Sequence, residues 1–192
     1  RYDNRLLPGF LRFDWVNGYC EDSARMKNAF AILPGRDTSL DDAVFFTAHI
    51  DSRCADVCND TCRAPGVDDN GSGTALVIEL ARVMSQYSFK RTLVFMATQG
   101  EEQGLLGARA LAEYANQNNI NIRVDQNNDI VGGIMCGETA SPPGCPEEGA
   151  IDSTSVRVYS EGVITHQSRG YARFIDLVYR EKLRPFVTVP MT

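Results

Sequence analysis

The chain has 192 residues, 43% of them hydrophobic, so it can bury a core, and by length it reads as one domain over residues 1–192. A formal net charge of -6, with no basic run, excludes a nucleic-acid surface, because phosphates need clustered Lys and Arg. No apolar stretch approaches the roughly 20 residues that a helix needs to cross a bilayer, which excludes such a span within this sequence, and Arg1 opens it without a charged and apolar leader.

In chain order, the first clear element is residues 43–50, Ala-Val-Phe-Phe-Thr-Ala-His-Ile, a short β-branched and aromatic run that reads as a buried strand. A long loop over residues 51–66 follows. Leu76, Leu80, Val83 and Met84 then recur at helical spacing, with Asn70 or Ser72 available as the N-cap. Residues 92–98, Thr-Leu-Val-Phe-Met-Ala-Thr, read as a second buried strand, so strand, helix and strand make a right-handed crossover. A second helix is expected from about 103 to 115, and residues 120–124 are a weaker strand leading towards Asp129. Beyond a second long loop, over residues 136–153, residues 156–159 and 186–189 read as short strands on either side of a helix from about 167 to 182. Tyr171, Phe174, Ile175, Val178 and Tyr179 mark the apolar face of that helix. This alternation predicts an α/β fold with a mostly parallel central sheet flanked by helices.

Residues able to hold metal gather where those strands end. His49 closes the first strand, and Asp51, two residues on, can accept a hydrogen bond from the far ring nitrogen and fix its tautomer. Asp68 and Asp69 stand between Pro65-Gly66 and Asn70-Gly71-Ser72-Gly73, a setting that an ordinary turn would also favour. Glu101 and Glu102 leave the second strand together. Adjacent residues there point in different directions, so one carboxylate can bind metal while the other faces water. Asp129 stands in Asn127-Asn128-Asp129-Ile130-Val131-Gly132, with Glu138 as its rival. A nitrogen ligand, a carboxylate able to bridge and a base-plus-ligand pair are the parts of a two-metal hydrolytic site. The other histidine, His166, reads as a surface residue at a helix start, and Gly71-Ser72-Gly73 matches neither a nucleophile elbow nor a phosphate loop.

Four segments, residues 47–52, 64–73, 100–105 and 127–132, resemble signature segments of the M28 family of zinc aminopeptidases, and the similarity runs from about Lys27 to Thr188. The resemblance implies a three-layer, zinc-exopeptidase-like sandwich that holds two zinc ions and removes amino-terminal residues from peptides. It implies His49, Asp68, Glu102 and Asp129 as metal ligands, with Asp68 as the bridge and Asp69 as its supporting neighbour. Glu101 is then the general base, with Asp51 beside it in the catalytic set. The family carries a last metal-binding His in a segment that would lie beyond Thr192, so the domain reads as incomplete at its C-terminus. Glutaminyl cyclases share the fold with one zinc, and a non-catalytic interaction domain is the other alternative. Retention of His49, Asp68, Glu101 and Glu102 argues against the latter, while the absent last His argues for it.

The six cysteines, Cys20, Cys54, Cys58, Cys62, Cys136 and Cys145, form an even set mainly in loop-like stretches, which favours disulfides and a secreted or periplasmic protein. A metal site at Cys54, Cys58 and Cys62 is the rival, but three thiols leave a tetrahedral site one ligand short. Cys136 is expected to pair with Cys145. The other four then pair among themselves, which ties Cys20 to the 54–62 loop.

Overall fold

A computed structural model describes residues 5–15, 20, 24–135, 147–153, 156–160 and 166–182. The chain divides into two compact units, Arg1–Ile130 and Val131–Thr192. In the first unit, five strands form one sheet in the order β1-β2-β4-β3-β5. They are β1 (Leu7–Trp15), β2 (Ala24–Leu33), β3 (Asp42–His49), β4 (Thr92–Thr98) and β5 (Asn121–Asn127). β3 runs parallel to both β4 and β5, whereas β2 is antiparallel to β1 and to β4. The sheet is therefore mixed: parallel where the segments carrying the candidate site residues leave it, antiparallel in two N-terminal strands that the sequence did not reveal.

Side-chain alternation along β3 and β4 creates the layers. Phe46 and Ala48 of β3, with Leu93 and Phe95 of β4, point to one face, where they bury Val77 and Ala81 of helix α1 (Gly71–Met84). Phe46 and Phe95, paired in register, stack their rings at 5.4 Å. The opposite set, Ala43, Phe45, Val94 and Met96, encloses Leu111 of helix α2 (Leu106–Gln117). A sheet with a helix on each face is an α/β sandwich, and nearly every residue of β3 is buried between the layers. β1 is the exposed edge. Phe10 there is 63% accessible, and Pro8 sits where an edge strand can forgo an N–H.

Helix α1 is capped as the sequence suggested, by Asn70, whose side chain accepts from the Gly73 N–H at 2.9 Å. Helix α2 begins at Leu106, later than expected, because residues 100–105 are spent on a tight turn. Gly100, Gly104 and Leu105 all have positive φ there, and the Gly104 and Leu105 N–H groups both donate to the Glu101 carbonyl at 2.8 Å.

In the second unit, helix α3 (Gln167–Lys182) has the expected span but not the expected buried face: it buries Ala172 and Asp176 and leaves Phe174 and Val178 of the expected stripe exposed. The expected strand at 156–159 does not form among the described residues: Val158 makes only a single bridge. His166 is exposed and takes part in local bonding with Ser168 at 2.7 Å, as a helix-start residue does. The expected strand at 186–189, Glu138 and the expected Cys136–Cys145 pair lie outside the described residues.

Candidate metal centre

Three parallel strands end side by side, and their carboxyl ends deliver His49 from β3, Glu101 and Glu102 after β4, and Asp129 after β5. Open α/β sheets place their sites at that edge. His49 is 2% accessible and makes the centre of the cluster. Its Nε2 has no hydrogen-bond partner, yet faces Asp69 Oδ1 at 3.0 Å, Asp129 Oδ1 at 3.5 Å and Glu101 Oε2 at 4.0 Å. One donor atom each from His49, Asp69 and Asp129 lies within 4.8 Å of the others, close enough to hold a single ion.

Asp69, then, and not Asp68, is the member of the pair that meets His49. The physical reason lies one residue on. The buried Asn70 accepts from Gly73 and Ile130 through Oδ1 and donates from Nδ2 to the Asn128 carbonyl at 2.9 Å, so it ties the start of α1 to the loop after β5. The residue immediately before it, Asp69, is thereby placed beside Asp129. Asp68 keeps both carboxylate oxygens buried without a hydrogen-bond partner, outside the His49 cluster. The close approach also demands Gly73, since a Cβ there would collide with Asn128 O and Asn70 Oδ1.

Other hydrogen bonds fix the ends of the strands. Thr74 Oγ1 donates to the His49 carbonyl at 2.8 Å, and Asn128 N–H donates to the Thr47 carbonyl at 2.8 Å. Asn28 of β2, wholly buried, donates to Gly107 O at 2.8 Å and accepts from Gln99 N–H at 3.0 Å, which anchors the turn bearing Glu101. Sequence reasoning missed Asn28, Asn70 as a tie between ligand loops, and Asn128. A buried asparagine gives no periodic signal, and only the Gly73 spacing hinted at a close approach.

The Nδ1 of His49 lies 3.0 Å from the Asp51 backbone carbonyl, while the Asp51 carboxylate is 3.7 Å away. The expected partner is thus present, but the nearer contact is the carbonyl. Burial works against ionising Asp51, yet His49 and the backbone N–H groups of Glu102 and Glu101 outweigh it and hold that carboxyl below its ordinary range. Burial alone would lower His49. The carboxylates of Asp129 and Asp51 prevail and push it up to about 11. Glu101 is raised, first by burial and then by the neighbouring carboxylates of Glu102, Asp129 and Asp51, against the opposing pull of His49.

Glu102 stands apart from the cluster. Its carboxylate is 9% accessible and pairs with Arg53 Nε at 2.6 Å, while its N–H donates to Asp51 Oδ2 at 3.2 Å. Arg53 opens a loop held by two disulfides, Cys54–Cys62 and Cys20–Cys58, as the expected tie of Cys20 to this region requires. Ser52 Oγ donates to Ala64 O at 3.0 Å and brings the two ends of that loop together. Gln103 Nε2 donates to Val57 O at 3.2 Å, laying the loop against the turn after β4.

The donor set suits the implied zinc. A buried imidazole nitrogen without a hydrogen bond, facing carboxylate oxygens that repel one another, is an arrangement that a divalent cation stabilises. An α/β sandwich with this donor set at its carboxyl edge matches the model of peptidase family M28 over residues 28–169, and the chain belongs to that family.

Among relatives, the chain is 37% identical over 156 residues to a probable zinc metalloprotease of Pyricularia oryzae, covering 81% of this chain and 28% of that protein. It thus spans under a third of that relative's length. Among solved structures, a zinc aminopeptidase from Bacillus subtilis superimposes with a TM-score of 0.61 at 25% identity, over 88% of this chain and 35% of that one. A glutaminyl cyclase from an Acidobacteriales bacterium does so with a TM-score of 0.60 at 18% identity, over 98% of this chain and 57% of that one. A fold common to both leaves hydrolysis or cyclisation to be argued from the site.

Proposed function

We propose that this chain carries the catalytic centre of a zinc-dependent aminopeptidase, acting on peptides with a free amino terminus. The observation that supports it best is the buried His49 Nε2, free of hydrogen bonds and facing Asp69 and Asp129, with Glu101 just beyond. His49, Asp69 and Asp129 would hold one zinc ion. Asp69 would be shared with a second ion held by Glu102, the bridging role that the family resemblance had given to Asp68. When bound, zinc supplies charge stabilisation at the scissile carbonyl oxygen and makes water a better nucleophile at neutral pH.

The chain's own residues do the rest. Glu101 takes the proton from the attacking water and returns it to the leaving amine, and burial, which raises its pKa, suits a group that must both accept and give a proton. Asp51 and the Asp51 carbonyl hold Nδ1, leaving Nε2 to face the donor cluster. The aminopeptidase reading draws on the Bacillus subtilis zinc aminopeptidase, and the two disulfides support a secreted protein. No helix among the described residues is long and apolar enough to cross a membrane.

The test is Glu101→Gln. It is expected to keep bound zinc while losing about 10²–10⁴ in turnover, because proton transfer is removed and the ligands stay. Zinc analysis together with hydrolysis of amino-terminal amide substrates checks both halves. A fully active variant would remove Glu101 from the role of base, and conversion of an amino-terminal glutamine to its cyclic product, without hydrolysis of other peptides, would replace the aminopeptidase reading by the cyclase one.

A further inference from the structure

The carboxylates of this centre are not treated alike. Asp69, Asp129 and Glu101 face the His49 ring, whereas Glu102, nearly buried, gives its carboxylate to a guanidinium 2.6 Å away. We propose that Arg53 is a positioning residue that competes with a metal ion for Glu102, so that the centre loads its two ions in unequal steps. This rests on the two-zinc reading above.

The argument is one of anchoring and charge. Arg53 is itself 44% accessible, and a freely moving surface arginine would contribute little. Here its backbone is pinned on both sides: Ser52 is bonded to Ala64, and Cys54 is disulfide-bonded to Cys62. Gln103, next to Glu102, reaches back to Val57 of the same loop. Glu102 is equally fixed, since its N–H is held by Asp51 Oδ2. A short charge-assisted bond between two anchored groups at a nearly buried carboxylate is of the stronger kind. A cation that takes Glu102 as a ligand must break that bond and share the site with the arginine's positive charge. The ion at His49, Asp69 and Asp129 meets no such competitor among the described residues, so it binds first.

The experiment is calorimetric titration of the metal-free full-length protein with zinc alone, in wild type, Arg53→Gln, Arg53→Lys, Glu102→Gln and the Arg53→Gln/Glu102→Gln double variant. The wild type is expected to bind one ion tightly and a second more weakly. Arg53→Gln should strengthen the second step by about tenfold or more, the size of a lost charge-assisted bond, and leave the first unchanged. Arg53→Lys, which keeps the charge without the guanidinium fork, should fall between. The gain should vanish in the Glu102→Gln background. A second step that is weakened or unmoved in Arg53→Gln, or that is absent from both proteins, overturns the proposal, as does a gain that persists without Glu102, since the effect would then be diffuse charge. If the wild type takes up no zinc tightly at all, the zinc reading itself fails, whereas a tight first step followed by a second step that is indifferent to Arg53 refutes only the role of the arginine.

Discussion

The parallel half of the sheet and its antiparallel half do different work. β3 and β4 are buried on both faces and end at the candidate ligands, so their sequences are almost purely apolar until His49 and Thr98. β1 and β2 are half wet, and the partner of β2 on the inner side is β4 rather than any ligand loop. Yet the outer half is not idle, because Asn28 reaches from β2 to hold the turn that carries Glu101. Burial builds the floor of the site, and single polar bonds from the flank aim it.

The sharpest way to break that contrast is by truncating one ring in each half. Phe95→Ala, in the core with Phe46 and Val77, is expected to cost about 3–5 kcal/mol, whereas Phe10→Ala on the exposed edge should stay within about 0.5 kcal/mol. Denaturant unfolding measures both, and comparable losses would mean that the edge strand is as structural as the centre.

A second comparison sets neighbours in sequence against each other. Asp69→Asn should weaken zinc binding by on the order of 10²-fold, more than loss of a supporting residue does, while Asp68→Asn should have the smaller effect. Equilibrium dialysis against a competing chelator would reverse the assignment if Asp68 proved the more sensitive.

The last contrast is one of pH. With its pKa raised from 6.5 to about 11, His49 contributes stability to the metal-free protein that is fully present below pH 6.5 and is lost as pH rises through about 11. The stability of the metal-free wild type relative to His49→Gln should therefore fall steadily from pH 6.5 upward. Thermal unfolding of the pair in chelator gives the slope, and a difference that is flat or grows with pH would show that the ring is not held charged by Asp129 and Asp51.

How far the sequence reached follows the same divide. The residues of β4 were legible to the residue, because an unbroken apolar run has few other readings, and the span of α3 was legible although its buried face, Ala172 and Asp176, was not. β1 and β2 were not, since half-wet strands carrying Arg, Asp, Lys and Asn alternate too weakly to stand out. His49, Glu101, Glu102 and Asp129 were legible as candidates from residue type and order. The structure and the sequence reading differ at Asp68 and Asp69, of which Asp69 is the one that stands beside His49. Two consecutive carboxylates are equivalent on paper, and the choice is made by a long-range contact, Asn70 to Asn128, that no local pattern encodes. The pairing of Glu102 with Arg53 was hidden for the same reason, being a contact across 49 positions.

The bond between Ser52 and Ala64 has an evolutionary corollary. Because it brings together the two ends of the cysteine-rich excursion, the residues between them can lengthen, shorten or be exchanged without moving His49 or Asp69, and the entropy of closing a loop grows only slowly with its size. A shorter or longer insert between Ser52 and Ala64 is therefore expected to change the residue beside Glu102 while leaving His49 and Asp69 where they are.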